Sequence, residues 1–162
     1  MKKIDTKKTL SAEVGAKQIV EIDESIKNLE LLEFFEGRRV VGKLTIINLD
    51  ETLLAKGDFV AGVVLVCDRC LRNFKTHVPF YFERDYKISR LKQLKEELFV
   101  DKLGQIDITD PIREEIILNI PLHNYCDIDC AGICQGCGIN LNEKKCCCKN
   151  NKNPKTGVEG RR

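Results

Sequence analysis

Nine cysteines set the terms on which this chain folds, and their spacing matters more than their number. Seven fall within 23 residues, as Cys126-x3-Cys130, Cys134-x2-Cys137 and the run Cys146-Cys147-Cys148, while two stand far upstream as Cys67-Asp-Arg-Cys70. A thiolate is a soft, strong zinc ligand with a bond of about 2.3 Å, and a C-x2-C turn offers two sulfurs to one ion. Eight of the nine make two closed tetrahedral sets. The simplest partition puts Cys67, Cys70, Cys126 and Cys130 around one ion and Cys134, Cys137, Cys146 and Cys148 around another. The first set closes a loop of more than 50 residues. The second is local, and Gly138 after Cys137 suits a knuckle whose N–H groups point at sulfur, because glycine tolerates positive φ. Cys147 is left over. The choice among Cys146, Cys147 and Cys148 stays open, as does substitution of one sulfur by His123; His77 falls on the polar face of its strand. Four thiolates also suit an iron–sulfur cluster. The upstream pair has a second reading as a redox dithiol, although such a motif usually opens a helix in a βαβ unit and here joins two strands.

The N-terminus, Met1-Lys-Lys-Ile-Asp-Thr-Lys-Lys, leads into no apolar run, and no segment approaches the roughly 18 apolar residues of a membrane helix. The expectation is a cytosolic (cytoplasmic) protein with no membrane partner, in which clustered cysteines serve as metal ligands or redox groups rather than disulfides. A hydrophobic content of 43% is enough for a real core, and the length suits one domain with a small appendage. Charge is uneven. From Lys144 onward seven basic residues and one acid give +6; the remaining 20 basic and 24 acidic residues give −4, for a net +2. A basic end behind a cysteine cluster suits a polyanion, and it reads equally as a solvated, disordered tail.

Residues 1–17 are polar and Lys-rich and are expected to be loosely held, apart from a short turn near Leu10. Gln18–Ile22 is a brief strand, and Leu29–Phe35 reads as strand or helix, with the balance toward strand. From Arg38 the pattern sharpens. Val40, Gly42, Leu44 and Ile46 alternate with Arg39, Val41, Lys43 and Thr45 at the strand period of two. Asn48-Leu-Asp-Glu is a turn. Leu53, Ala55, Gly57, Phe59, Ala61, Val63 and Leu65 then line one face of a long strand whose end, Val63–Val66, is apolar on both faces and reads as central. Phe74, Thr76, Val78, Phe80 and Phe82 form the next strand, where Pro79 argues for an edge or a bulge. The two strands flank Cys67–Cys70 as an antiparallel hairpin. Residues 88–104 are a charged loop with a helical turn near 91–98. Thr109-Asp110-Pro111 reads as a capped helix start, Ile112, Ile116, Ile117 and Ile120 fall at helical spacing, and Pro121 stops the helix. That helix is expected to cover the open face of the sheet.

These residues carry a resemblance. Val-Cys-Asp-Arg-Cys-Leu (66–71), Ile-Asp-Ile-Thr-Asp (106–110), Asn-Ile-Pro-Leu (119–122) and Cys-x3-Cys-x-Gly-Ile-Cys-x2-Cys-Gly-x-Asn-Leu-Asn (126–142), closed by Cys-x-Cys, resemble the YceD family of large ribosomal RNA subunit accumulation proteins over residues 38–148. Two features depart from it: Gln135 stands where many members have proline, and a Lys/Asn-rich tail replaces a short Leu-rich helix. The resemblance implies a role in 23S ribosomal RNA accumulation and large-subunit assembly, no known catalysis, and zinc in a structural role.

The resulting expectation is an α+β protein: a mainly antiparallel sheet or partly open barrel covered by one helix (109–120) over residues 1–121. A zinc-knuckle segment at 122–148 and a disordered basic tail at 149–162 follow. The expected function is non-enzymatic, binding pre-ribosomal RNA, a large-subunit ribosomal protein, or both, with no small-molecule substrate and two structural Zn2+ as clamps. Candidate phosphate contacts are Arg69, Arg72, Lys144, Lys145, Lys149, Lys152, Lys155, Arg161 and Arg162. No aromatic-platform RNA motif is present. The competing expectations are a thiol redox protein or redox/metal sensor using Cys67 and Cys70, and a module that grips a protein through a strand edge near Phe80–Tyr86.

Overall fold

Two alternating strands meet residue for residue in the computed structural model, which describes residues 3–25, 39–88 and 98–148. Strand β3 (Val40–Asn48) runs antiparallel to β4 (Thr52–Val66), with Val40 opposite Ala61 and Leu44 opposite Gly57. The period-two pattern decides which face is buried. Val40, Leu44, Ile46, Leu53, Ala55, Phe59, Ala61, Val63 and Leu65 are all buried, while Val41 and Val60 face outward. The turn between the strands is closed by the Leu49 N–H donating to Thr52 O at 2.9 Å and by Asp50 at φ 75°.

Strand β2 (Lys17–Glu24) adds antiparallel to the other side of β3, and β5 (Asn73–Lys87) adds to β4, so the sheet order is β2-β3-β4-β5. The sheet is open, without barrel closure among the described residues. Strand β4 is central, although Val66 at its end is exposed. Strand β5 lies at an edge, the position in which proline is tolerated, as Pro79 suggests. Phe59 stacks on Phe80 with centroids 5.5 Å apart and meets Phe82 edge-on at 6.1 Å. The sheet also requires glycine at Gly42 and Gly57. A Cβ at Gly57 would lie 1.9 Å from the Lys43 carbonyl oxygen, and one at Gly42 would lie 2.3 Å from that of Asp58. No side chain fits so close an approach of two backbones.

The N-terminal residues are not loose. Strand β1 (Ile4–Asp5) pairs antiparallel with β6 (Gln105–Ile106), about a hundred residues away, and Ile4 and Ile106 are buried. Thr6 is fully buried and donates from both its N–H and its hydroxyl to Gly104 O, at 2.9 and 2.8 Å. A single helical turn, α1 (Lys7–Leu10), follows near Leu10 as the sequence suggests. Buried Asn48 then fastens this segment to the β3–β4 turn: its Nδ2 donates to Thr9 O and Ala12 O, and its Oδ1 accepts the Asp50 N–H. The expectation of a loose N-terminus fails because polar side chains make these ties, and polar residues leave no trace in a hydrophobic pattern.

Helix α2 (Thr109–Asn119) buries Pro111, Ile112 and Ile116, whereas Ile117 is partly exposed. It is linked to β5 by Arg84 to Glu115 at 2.6 Å and by the Tyr86 hydroxyl donating to Asp107 O at 3.0 Å. Thr109 is the first helical residue rather than its cap; the Asp107 carboxylate accepts the Thr109 N–H at 2.9 Å instead. Burial of Asp107 favours its neutral form, but the Thr109 hydroxyl and N–H outweigh this and hold its carboxyl below the usual range. Pro121 follows the helix end as expected. The readings of Leu29–Phe35 and of a helical turn at 91–98 fall outside the described residues, apart from Leu98 itself.

The chain divides into two units, one of Met1–Val64 with Lys75–Leu122, the other of Leu65–Phe74 with the chain from His123 onward. The first contains the sheet and α2. The second contains the β4–β5 turn and all nine cysteines. No helix among the described residues is long and apolar enough to cross a membrane.

Candidate metal centres

The second unit is knit by backbone hydrogen bonds before any metal is considered. The turn at 67–72 closes with the Leu71 N–H donating to Cys67 O and the Cys67 N–H to Arg72 O, both at 2.9 Å, and Leu71 adopts φ 58°. The Asp68 N–H donates to Asn124 O, the Asn124 N–H returns to the Asp68 carboxylate, and the Ile133 N–H donates to Arg69 O. The turn is thereby stitched to residues 124–133 along its length. Gly132 is positive in φ, and a Cβ there would press on Arg69 O at 3.1 Å. A small knuckle follows: the Gly138 N–H donates to Cys134 O and the Cys134 N–H to Ile139 O, each at 2.8 Å, with Gly138 at φ 72°.

Within this frame the sulfurs of Cys67, Cys70, Cys126 and Cys130 all lie within 4.8 Å of one another, and so do those of Cys134, Cys137, Cys146 and Cys148. The structure therefore brings the eight residues together in the two groups that the spacing pairs. In the first group, Cys67 and Cys130 Sγ are 3.8 Å apart and Cys70 and Cys126 Sγ 3.6 Å. In the second, Cys137 and Cys146 Sγ are 3.4 Å apart and Cys146 and Cys134 Sγ 3.2 Å. A tetrahedron with 2.3 Å bonds puts its corners about 3.8 Å apart, whereas a disulfide needs about 2.05 Å. All nine cysteines are free. The donor set and its spacing fit a four-coordinate ion.

The electrostatics point the same way. Burial would raise the Cys67 thiol, but N–H groups of Cys126, Cys70 and Arg69 aimed at its sulfur bring it down to about 6. Burial pushes Cys70 up to about 12, reinforced by the sulfurs of Cys67, Cys126 and Cys130. Burial and then Cys130 raise Cys126. In the second group the Cys137 N–H, then the Cys146 thiol and the Gly136 N–H, lower Cys134 to about 6. Cys146 and Cys137 push Cys148 up to about 12. Cys67 and Cys134 are thus disposed to ionise, whereas Cys70 and Cys148 resist it. Four sulfurs so close can all ionise when a cation sits among them.

Groups beyond the sulfurs complete the first cluster. Asn142 Nδ2 lies 3.3 Å from Cys130 Sγ, and its Oδ1 accepts the Ala131 N–H at 2.8 Å. Arg72 is exposed, and the Cys126 sulfur raises its guanidinium further above its ordinary value. Arg69 lies over the Tyr125 ring at 4.4 Å and donates from Nη1 to the carbonyls of Ile128 and Cys130 at 3.1 and 3.3 Å. Both arginines are candidate phosphate contacts by sequence; Arg69 is turned onto residues 125–130 of its own unit. No sequence signal marks that orientation, because it depends on where residues 125–130 come to lie.

The remaining candidates separate clearly. Lys144 and Lys145 are exposed. Lys149, Lys152, Lys155, Arg161 and Arg162 lie outside the described residues. Cys147 is exposed and belongs to neither group. His123 stands apart from the sulfurs, its Nδ1 3.8 Å from the Asp68 carboxylate and its ring parallel to that of Tyr125. His77 is exposed on β5.

Residues 55–157 match the family described as large ribosomal RNA subunit accumulation protein YceD. The match spans more than half of the chain, and the chain belongs to that family. An uncharacterized protein of Mycobacterium leprae is 30% identical over 117 residues, covering 70% of this chain and 54% of its own length. One from Mycobacterium bovis is 29% identical over 120 residues, 70% of this chain and 56% of its own. The large ribosomal RNA subunit accumulation protein YCED homolog 1, chloroplastic, of Arabidopsis thaliana is 42% identical over 50 residues, 31% of this chain and 16% of that protein. The chain thus spans just over half the length of its mycobacterial relatives. No solved structure matches it.

Proposed function

We propose that this protein is a non-enzymatic factor for accumulation of the 23S ribosomal RNA and assembly of the large subunit, its second unit held rigid by two structural zinc ions. The observation that carries the metal reading is the pair of four-sulfur clusters, each gathered within 4.8 Å. Cys67, Cys70, Cys126 and Cys130 hold one ion and Cys134, Cys137, Cys146 and Cys148 the other. Zinc has no redox chemistry, and a closed four-sulfur site leaves no open position for substrate, so the ions act through folding alone. The family description supports the ribosomal role.

The partner is pre-ribosomal RNA, a ribosomal protein, or both. On the RNA side Lys144, Lys145, Lys149, Lys152, Lys155, Arg161 and Arg162 supply phosphate contacts. Arg69 contributes less, because it already serves its own unit, while Arg72 is exposed beside it. Elemental analysis should find two zinc per chain; one would mean that one group is wrongly drawn. Deleting residues 149–162, which carry five of these cations, should weaken RNA binding and flatten its salt slope by up to about 3.5, at about 0.7 per phosphate contact. Equal affinity of the full and shortened chains at two salt concentrations refutes the RNA reading. A pull-down of a ribosomal protein that survives nuclease favours the protein partner. The alternative of a redox dithiol at Cys67 and Cys70 is disfavoured, since their exposures are 0% and 5% and such chemistry needs an accessible thiolate.

A further inference from the structure

We propose that the second cysteine group is a peroxide-sensitive modification site, in which Cys137 reacts, Cys146 resolves it into a disulfide, and the bound ion is released. This rests on the reading of both groups as zinc centres. The two groups share a donor set and differ in access. In the first, Cys67, Cys70 and Cys130 are buried and Cys126 is half-buried; in the second, Cys134 alone is buried, Cys137 is exposed, and Cys146 and Cys148 are half-buried. A zinc-bound thiolate keeps its lone pairs, so contact with the oxidant decides which sulfur is attacked.

The resolving partner is already in place, since Cys146 Sγ lies 3.4 Å from Cys137 Sγ. The Cys137 thiolate attacks one oxygen of hydrogen peroxide, the O–O bond breaks, and hydroxide leaves, giving a sulfenic acid. The Cys146 thiolate then attacks that sulfur and displaces a second hydroxide. Two thiolates are oxidised by two electrons in total, peroxide is reduced, and one S–S bond forms. The ion loses two of its four ligands and departs. A dithiol reductant reverses the step.

The folds around the groups make the consequences unequal. The first group joins the turn at 67–70 to residues 126–130, so its loss would separate segments far apart in the chain. The second lies wholly within residues 134–148, and opening it leaves the bonds between the turn and residues 124–133 in place. The competing sequence reading placed redox chemistry at Cys67 and Cys70; the exposures favour the other end of the unit.

The test uses the full zinc-loaded chain, with metal counted first by elemental analysis. Hydrogen peroxide is added in small molar excess, and zinc release is followed with a chromogenic chelator. One zinc of the two should leave at least ten times faster than the other. Peptide mass mapping should then show a disulfide between Cys137 and Cys146, and dithiothreitol with added zinc should restore two ions. The Cys147→Ser variant should release zinc as the parent does. Equal release rates, no release, a disulfide at Cys67–Cys70, or loss of the fast phase in Cys147→Ser each overturn the proposal. A starting count below two overturns the underlying zinc reading as well, and so separates the two failures.

Discussion

Loading this protein with zinc should leave it an acidic chain. The formal charge of +2 counts every cysteine as neutral. An ion of charge +2 among four thiolates lowers the total by two, so filling both four-sulfur clusters brings +2 to −2. The proton count follows from the same geometry. Cys67 and Cys134 sit at about 6, so each cluster already holds one thiolate at pH 7. Binding should then release about three protons per ion at pH 7 and about four below pH 5. The sign follows because both thiols are lowered: above pH 6 the thiolate is in place before the ion arrives, and below it a further proton must leave. Log affinity should rise about three units per pH unit near pH 7 and about four below pH 5. Calorimetric titration of the metal-free chain in two buffers of different ionisation enthalpy reads the protons, and free-solution electrophoresis reads the sign of the charge. One proton or fewer per ion, or a loaded chain that still migrates as a cation at pH 7, would refute four-thiolate binding. The same arithmetic bears on RNA. On the proposed RNA reading, salt-dependent affinity should arise mainly in the run from Lys144, which carries +6 before its ligand sulfurs are counted.

Three further outcomes test the frame. Phe59→Ala removes a ring packed between Phe80 and Phe82 and should cost about 3–5 kcal/mol, read as an earlier urea midpoint, with the zinc count unchanged. Gly57→Ala would force a Cβ to 1.9 Å from the Lys43 carbonyl oxygen and should lower the melting temperature; an unchanged value would show that the close approach of β3 and β4 is not required. Asn142→Ala removes the donor to Cys130 Sγ and the acceptor of the Ala131 N–H, and should weaken one zinc by about tenfold in competition with a chelator, leaving the other unmoved.

Much of the sheet was legible because its signal is periodic. Alternation through Val40–Ile46, Leu53–Leu65 and Phe74–Phe82 repeats every two residues, and burial of one face follows directly. The helix at Thr109–Asn119 was legible from its isoleucines and from Pro121, but its start was misread because Asp107, outside the helix, accepts the Thr109 N–H. The N-terminal tether was invisible for a related reason. A two-residue strand paired across about a hundred residues and a buried Thr6 and Asn48 hold by polar contacts, which depend on partners far along the chain.

The cysteines divide the same way. Their spacing suggested the two groups, because a C-x2-C or C-x-C step can present two ligands to one centre whatever surrounds it, but left Cys146, Cys147, Cys148 and His123 for the fold to sort. Tertiary structure decided everything that depends on who lies across from whom: that Arg69 turns onto residues 125–130, that the sulfurs of the first cluster are mostly sealed, and that Cys137 meets solvent. Spacing is a property of the covalent chain, whereas access and charge environment belong to space between segments that only folding brings together.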